Sequence, residues 1–185
     1  MKGQDILILL KLASLSGEPD RPAADAAEEG AYSVRSLAEA LGVSKSEVSN
    51  SINRLYGAGL AVKDRRSGRP RPKMKAVAEF IVSGLKYVFP VKPGPLARGV
   101  ATGFAAPVLD GKLFSAGESK FIWPDAEGGD SGQSIEPLFR SVPYAIRQDK
   151  DLYAYLALVD AIRLGNPREA GVAKKEFEMR LSRHG

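Results

Sequence analysis

Cysteine is absent from the 185-residue sequence, which excludes disulfides, thiol catalysis and cysteine-based zinc sites. Histidine is nearly absent: the one copy, His184, stands next to the last residue. A Ser-His-Asp triad or a multi-histidine metal site within one chain is therefore not expected. No apolar run approaches the roughly 20 residues that span a bilayer. The apolar stretch at 6–10 is interrupted by Lys11 and is followed by no cleavage-like site, so no secretory signal is read. A cytoplasmic protein with no membrane contact is expected, and the missing thiols are compatible with a reducing compartment. Phosphate-binding glycine loops are also missing. Gly94, Gly99 and Gly103 have the wrong spacing for a dinucleotide fingerprint, and no GK[ST] ending marks a P-loop. With no nucleophile–base pair, the chain reads as a non-enzyme that needs no cofactor.

What is present is concentrated positive charge. The net charge of +5 is ordinary in size, and 44% hydrophobic residues are enough for a core. Residues 63–75 (KDRRSGRPRPKMK), however, hold seven cations against the single anion Asp64, while the remainder holds 20 basic and 21 acidic residues. Density of this kind suits a surface that tracks phosphates.

Residues 4–16 are almost all apolar and read as a helix buried on more than one side, either in the core or with help from a dimer partner. The stretch 17–30 carries five acids, two prolines and two glycines, and is expected to be an acidic surface loop. Next, Ser33 is placed to cap a helix with an apolar face of Val34, Leu37, Ala38 and Leu41, which Gly42 would end in a left-handed conformation. Ser44 opens a second helix, with Glu47 placed for a capping box. Val48, Ile52 and Leu55 form its buried stripe, and Ser46, Ser49, Asn50 and Asn53 lie opposite. Short hydroxyl and amide side chains on an outer helix face are suited to reading base edges in a major groove. Strands are expected at 60–64 and 73–77, joined by a turn at Ser67-Gly68, with Pro70 and Pro72 stiffening the tip and preventing pairing there. A basic hairpin directly after a recognition helix is a wing, whose arginines reach phosphates or the minor groove.

From the first helix through SVRSLAEALGVSKSEVSNSINRLYGAGLAVKDRR, about residues 4–80, the sequence resembles the winged helix-turn-helix regulators, MarR-like and related groups. The resemblance implies a homodimer that binds inverted repeats in duplex DNA as a repressor. It also implies base contacts from Ser46, Ser49, Asn50 and Asn53, phosphate contacts from Lys45 and Arg54, and a wing bearing Arg65, Arg66, Arg69, Arg71 and Lys73.

Beyond this, residues 76–88 read as a linker helix with Val77, Phe80, Ile81 and Leu85 on one side. Residues 89–133 read as one or two short strands among packed loops, with Phe121 and Trp123 as core or, alternatively, as a pocket or interface. Residues 125–133 (DAEGGDSGQ) lack an EF-hand pattern and read as a flexible acidic loop. The end is a helical hairpin over 149–183, broken at Gly165, with Asn166, Pro167 and Glu169 forming the second helix start. The stretch SVPYAIRQDKDLYAYLALVDAIRLGNPREAGVAKK is similar to the C-terminal part of winged-helix antitoxins, which implies a toxin as a possible protein partner. The fold expected is mainly α with a small β-wing (α+β). It comprises a DNA-binding domain over 1–88 and a loop-rich interaction or dimerisation domain over 89–185.

Overall fold

The computed structural model describes residues 1–16, 30–112 and 120–183. The acidic loop expected at 17–30, apart from Gly30, and His184 lie outside the described residues. Helix α1 (Gly3–Leu15) leads into α2 (Val34–Leu41) and α3 (Lys45–Gly57), then the hairpin β1 (Ala61–Lys63) and β2 (Pro70–Pro72). This is the mainly helical winged arrangement that the apolar spacing anticipates.

Every residue from Gln4 to Leu10 on α1 is buried, as are Leu12 and Ala13. The burying surfaces come from this chain itself: α1 packs against α2, α3, β2 and a long C-terminal helix, so no dimer partner is required to cover it. Ser33 and Ser44 cap α2 and α3 as expected, accepting from Ser36 N–H at 3.1 Å and Glu47 N–H at 3.3 Å. The reciprocal half of the Ser44 capping box does not form, because the Glu47 carboxylate turns to Gln4 on α1 instead. Gly42 ends α2 at φ 62°, a conformation that a Cβ disfavours.

The hairpin corrects the placement of its second strand. β2 is formed by Pro70, Arg71 and Pro72, and residues 74–79 begin a helix where a strand is expected at 73–77. Ladder bonds run from Asp64 N–H to the Arg69 carbonyl and from Lys73 N–H to the Leu60 carbonyl. By the two-residue period, the prolines in the pairs 61/72 and 63/70 fall where no ladder donor is needed. Both prolines are buried while Arg71 between them is exposed, so they serve as the packed face of the strand and not as its breaker.

Helical residues then run through α4 (Met74–Glu79), a π-helical turn (Phe80–Gly84) and α5 (Leu85–Val88). Val77, Ile81 and Leu85 are buried at a strict four-residue spacing. In a pure α-helix that spacing drifts about 40° per step. The wider π turn rotates the line back and keeps it on the core.

Three strands follow, β3 (Leu96–Thr102), β4 (Phe121–Pro124) and β5 (Asp130–Ser134), closed on one another. β3 pairs antiparallel with β5 through Leu96–Gly99 and with β4 through Gly99–Thr102, while β4 and β5 pair parallel. At the crossing point a Cβ on Gly99 would lie 1.8 Å from the Trp123 carbonyl oxygen, and one on Gly128 would lie 2.1 Å from the Gly99 carbonyl. The glycines that made 89–133 read as loops are what lets so small a sheet close. The expected acidic loop 125–133 is accordingly a turn followed by β5, and Asp125 and Asp130 are held by Arg147 and Lys120.

A short helix, α6 (Val142–Ala145), precedes the hairpin of α7 (Lys150–Leu164) and α8 (Pro167–Ser182). Asn166 and Glu169 form the expected capping box. Trp123 is buried, its indole N–H donating to Asp160 Oδ2 at 2.6 Å, with Thr102 Oγ1 donating to the same oxygen at 3.0 Å. Those two bonds tie the small sheet to α7, and Arg163, on the same helix, pairs with the other Asp160 oxygen at 2.8 Å. The boundary expected after residue 88 is not a break in packing. One apolar core runs from Ile6 on α1 to Leu181 on α8 and takes in Val77, Trp123 and Leu156. No helix among the described residues is long and apolar enough to cross a membrane.

Candidate nucleic-acid interface

The exposed side of α3 follows from its buried side. Val48, Ile52 and Leu55 are buried, so rotation of about 100° per residue turns Ser46, Ser49, Asn50 and Asn53 into one arc roughly 100° wide on the far side. Lys45, Ser46, Asn50 and Asn53 are exposed and Ser49 is half-buried. The Ser46 hydroxyl lies 3.1 Å from that of the cap residue Ser44, so the first turn carries a hydroxyl pair beside the free N–H groups of the helix end.

The angle of α3 about its axis is held by a polar cluster inside the fold. Asp5 on α1 is completely buried and accepts from Ser51 Oγ at 2.6 Å, from Arg54 Nη2 at 2.7 Å and from Arg54 Nε at 3.0 and 3.1 Å. The Lys2 backbone N–H donates to its other oxygen at 2.7 Å. Burial works against the Asp5 charge, but the bonds from Arg54, Ser51 and Lys2 outweigh it and hold the carboxyl below its ordinary range. Gln4 adds bonds to Glu47 and Ser51. Arg54, assigned to a DNA phosphate from sequence, is thereby drawn inward. Its guanidinium bonds Asp5 and Ser51, leaving Lys45 as the exposed cation on this helix.

The helix-turn-helix corner is gripped from the C-terminal half. Ser141 Oγ donates to the Leu41 carbonyl at 2.5 Å and Tyr144 OH to the Glu39 carbonyl at 3.2 Å. A Cβ on Gly42 would stand 3.1 Å from the Tyr144 ring. Asp149, the cap of α7, accepts from Leu152 N–H at 2.8 Å, from Lys11 Nζ at 2.7 Å and from Ser14 Oγ at 2.9 Å. Its burial is outweighed by these donors and its carboxyl is also held low.

The wing follows α3 after Gly59. Its one acid shapes the tip: Asp64 Oδ1 accepts from the N–H groups of Arg66 and Ser67 and from Ser67 Oγ, at 2.9–3.0 Å. Lys63, Arg65, Arg66, Arg71 and Lys73 are exposed. Arg69 is half-buried with its guanidinium 5.2 Å from the centre of the Tyr32 ring, a cation–π distance.

Sequence reasoning missed Asp5, Gln4 and Ser51. The available signal was an acid inside an otherwise apolar helix and a serine beside the buried stripe of α3, but only the packing of α1 on α3 shows that they meet. Among the described residues, no group of three or more histidine, cysteine, aspartate or glutamate side chains is placed to hold a metal ion.

Residues 27–63 match the family described as bacterial regulatory protein, arsR family. The matched segment spans α2, α3 and β1, a minority of the chain, and marks it as carrying the DNA-binding helix-turn-helix of a transcription regulator. No curated protein and no solved structure matches the chain.

Proposed function

We propose, from the premise that residues 27–63 are a regulator's helix-turn-helix, that this protein is a sequence-specific repressor that binds an inverted repeat in duplex DNA as a MarR-like homodimer. The observation that carries the reading is the exposed arc Ser46, Asn50 and Asn53, on a helix locked from behind by Asp5 and followed directly by a cationic hairpin. Amides and hydroxyls read base edges. Lys45, Arg65, Arg66, Arg71 and Lys73 neutralise phosphates, and Arg69, braced by Tyr32, stiffens the tip end of the wing, where it bonds across to Asp64.

The antitoxin alternative rests on residues 141–175. That stretch uses Val142, Leu152, Tyr155, Leu156 and Ala173 in this chain's own core, and Ser141 and Tyr144 on α2, so the geometry favours the repressor reading. The test is binding to the protein's own promoter fragment and to a scrambled duplex. The double variant Asn50→Ala/Asn53→Ala is expected to lose about 2–4 kcal/mol of discrimination between the two, at up to 1–3 kcal/mol per good base contact. Equal loss on both duplexes would remove this face from recognition.

A further inference from the structure

With Arg54 turned inward, α3 keeps Lys45 as its exposed cation. The C-terminal half brings a further cation to the same end of that helix. The turn 138–141 is pressed against two elements at once. On one side, the Leu138 carbonyl oxygen stands 1.8 Å from where a Cβ on Gly3 would lie, at the start of α1. On the other, Ser141 Oγ donates to the Leu41 carbonyl, and Ser141 Cβ stands 3.4 Å from where a Cβ on Gly42 would lie. The start of α1 in turn touches the first turn of α3, through Lys2 and Gln4 on Glu47. Arg140 lies between the two anchors. It is exposed and makes no ion pair with a described residue. We propose that Arg140 contacts a DNA phosphate beside the N-terminal end of α3, so that the C-terminal half supplies part of the DNA-binding surface.

The role rests on the DNA-binding reading. A recognition helix lies in the major groove with its N-terminal residues on the bases. Phosphates flanking the groove at that end are then met by the cations around it, and arginine suits them with a planar fork of donors. Lys2 also stands there, but Glu47 at 3.8 Å offsets its charge. Arg140 has no such acid, and its backbone is already fixed. Val142 N–H bonds the Phe139 carbonyl at 3.0 Å across the turn, so little backbone freedom is lost when the side chain binds. A phosphate contact positions the protein and carries no sequence information. The grip of Ser141 and Tyr144 on the corner therefore does more than brace α2: it holds Arg140 in register with the reading face of α3.

The experiment measures binding of the full-length protein to its own promoter fragment and to a scrambled duplex over a range of salt concentrations. Arg140→Ala should weaken both duplexes equally, by roughly fivefold near physiological salt, and lower the slope of log K against log salt by about 0.9. Arg140→Lys keeps the charge and should restore most of the slope, whereas Arg140→Glu should weaken binding further than alanine does. Lys120→Ala removes the same charge from the small sheet and should leave the slope unaltered. The urea midpoint of Arg140→Ala should match the wild type, because the side chain is exposed and holds no described partner. An unaltered slope in Arg140→Ala, no recovery with lysine, or an equal effect from Lys120→Ala would overturn the contact while leaving the repressor reading in place. A wild type that binds neither duplex would sink the repressor reading, and the contact with it.

Discussion

Replacing Asp5 by asparagine tests how the recognition helix is held. The native carboxylate is fully buried and receives hydrogens on both oxygens, from Ser51 and Arg54 on Oδ1 and from Lys2 N–H and Arg54 Nε on Oδ2. Whichever way the new amide turns, its NH2 group faces a donor, and Arg54 loses its hydrogen-bonded counter-charge, keeping only the Glu47 carboxylate at 3.9 Å. Removing one partner of a buried pair costs about 3–5 kcal/mol. The Arg54 side chain keeps 31% of its exposure and can turn partly to water. The expected loss is therefore smaller, about 2–3 kcal/mol at pH 7. With a urea slope of about 2 kcal/mol/M, the unfolding midpoint should fall by roughly 1–1.5 M. The pH arm has a definite sign. The folded carboxyl lies below the unfolded value of 3.8, so its contribution is fully present above that value and is lost as the pH falls through the folded one. The gap between wild type and variant should therefore narrow below pH 3.8 and hold constant from pH 6 to 8. A loss under about 0.5 kcal/mol, well short of a broken buried pair, or a gap that ignores acid would refute the role given to Asp5.

Other outcomes follow from the same geometry. Changing Arg65, Arg66 and Arg71 to alanine should weaken binding to all duplexes and lower the slope of log K against log salt by about 0.9 for each phosphate no longer neutralised; an unaltered slope would take the wing off the DNA. Val62→Pro should destabilise the hairpin by about 2–3 kcal/mol because Val62 pairs with Arg71 at a hydrogen-bonding position, whereas Pro72→Val should cost under about 1 kcal/mol. Thermal unfolding separates the two, and equal effects would contradict the register. Gly99→Ala places a methyl within 1.8 Å of the Trp123 carbonyl oxygen and should open the small sheet, read as lost protection of β3 amides to hydrogen exchange. Native-like protection would show that the strands do not close there.

The sequence alone determined the helix-turn-helix and its outward face. Serine caps, Gly42 and the spacing of Val48, Ile52 and Leu55 are local signals, set by backbone sterics and by 3.6 residues per turn, and they act wherever the segment lies. The charge of the wing was legible for the same reason, as was the capped hairpin of α7 and α8. Tertiary structure decided what depends on a distant neighbour. Only the packing of α1 on α3 turned Arg54 from a phosphate ligand into a partner of Asp5, and only pairing with β1 showed that Pro70 and Pro72 fall at positions needing no donor. The glycines of 89–133 read as loops because a close approach between strands leaves no periodic trace in sequence. Gly99 needs its missing Cβ only because Trp123 arrives from 24 positions away.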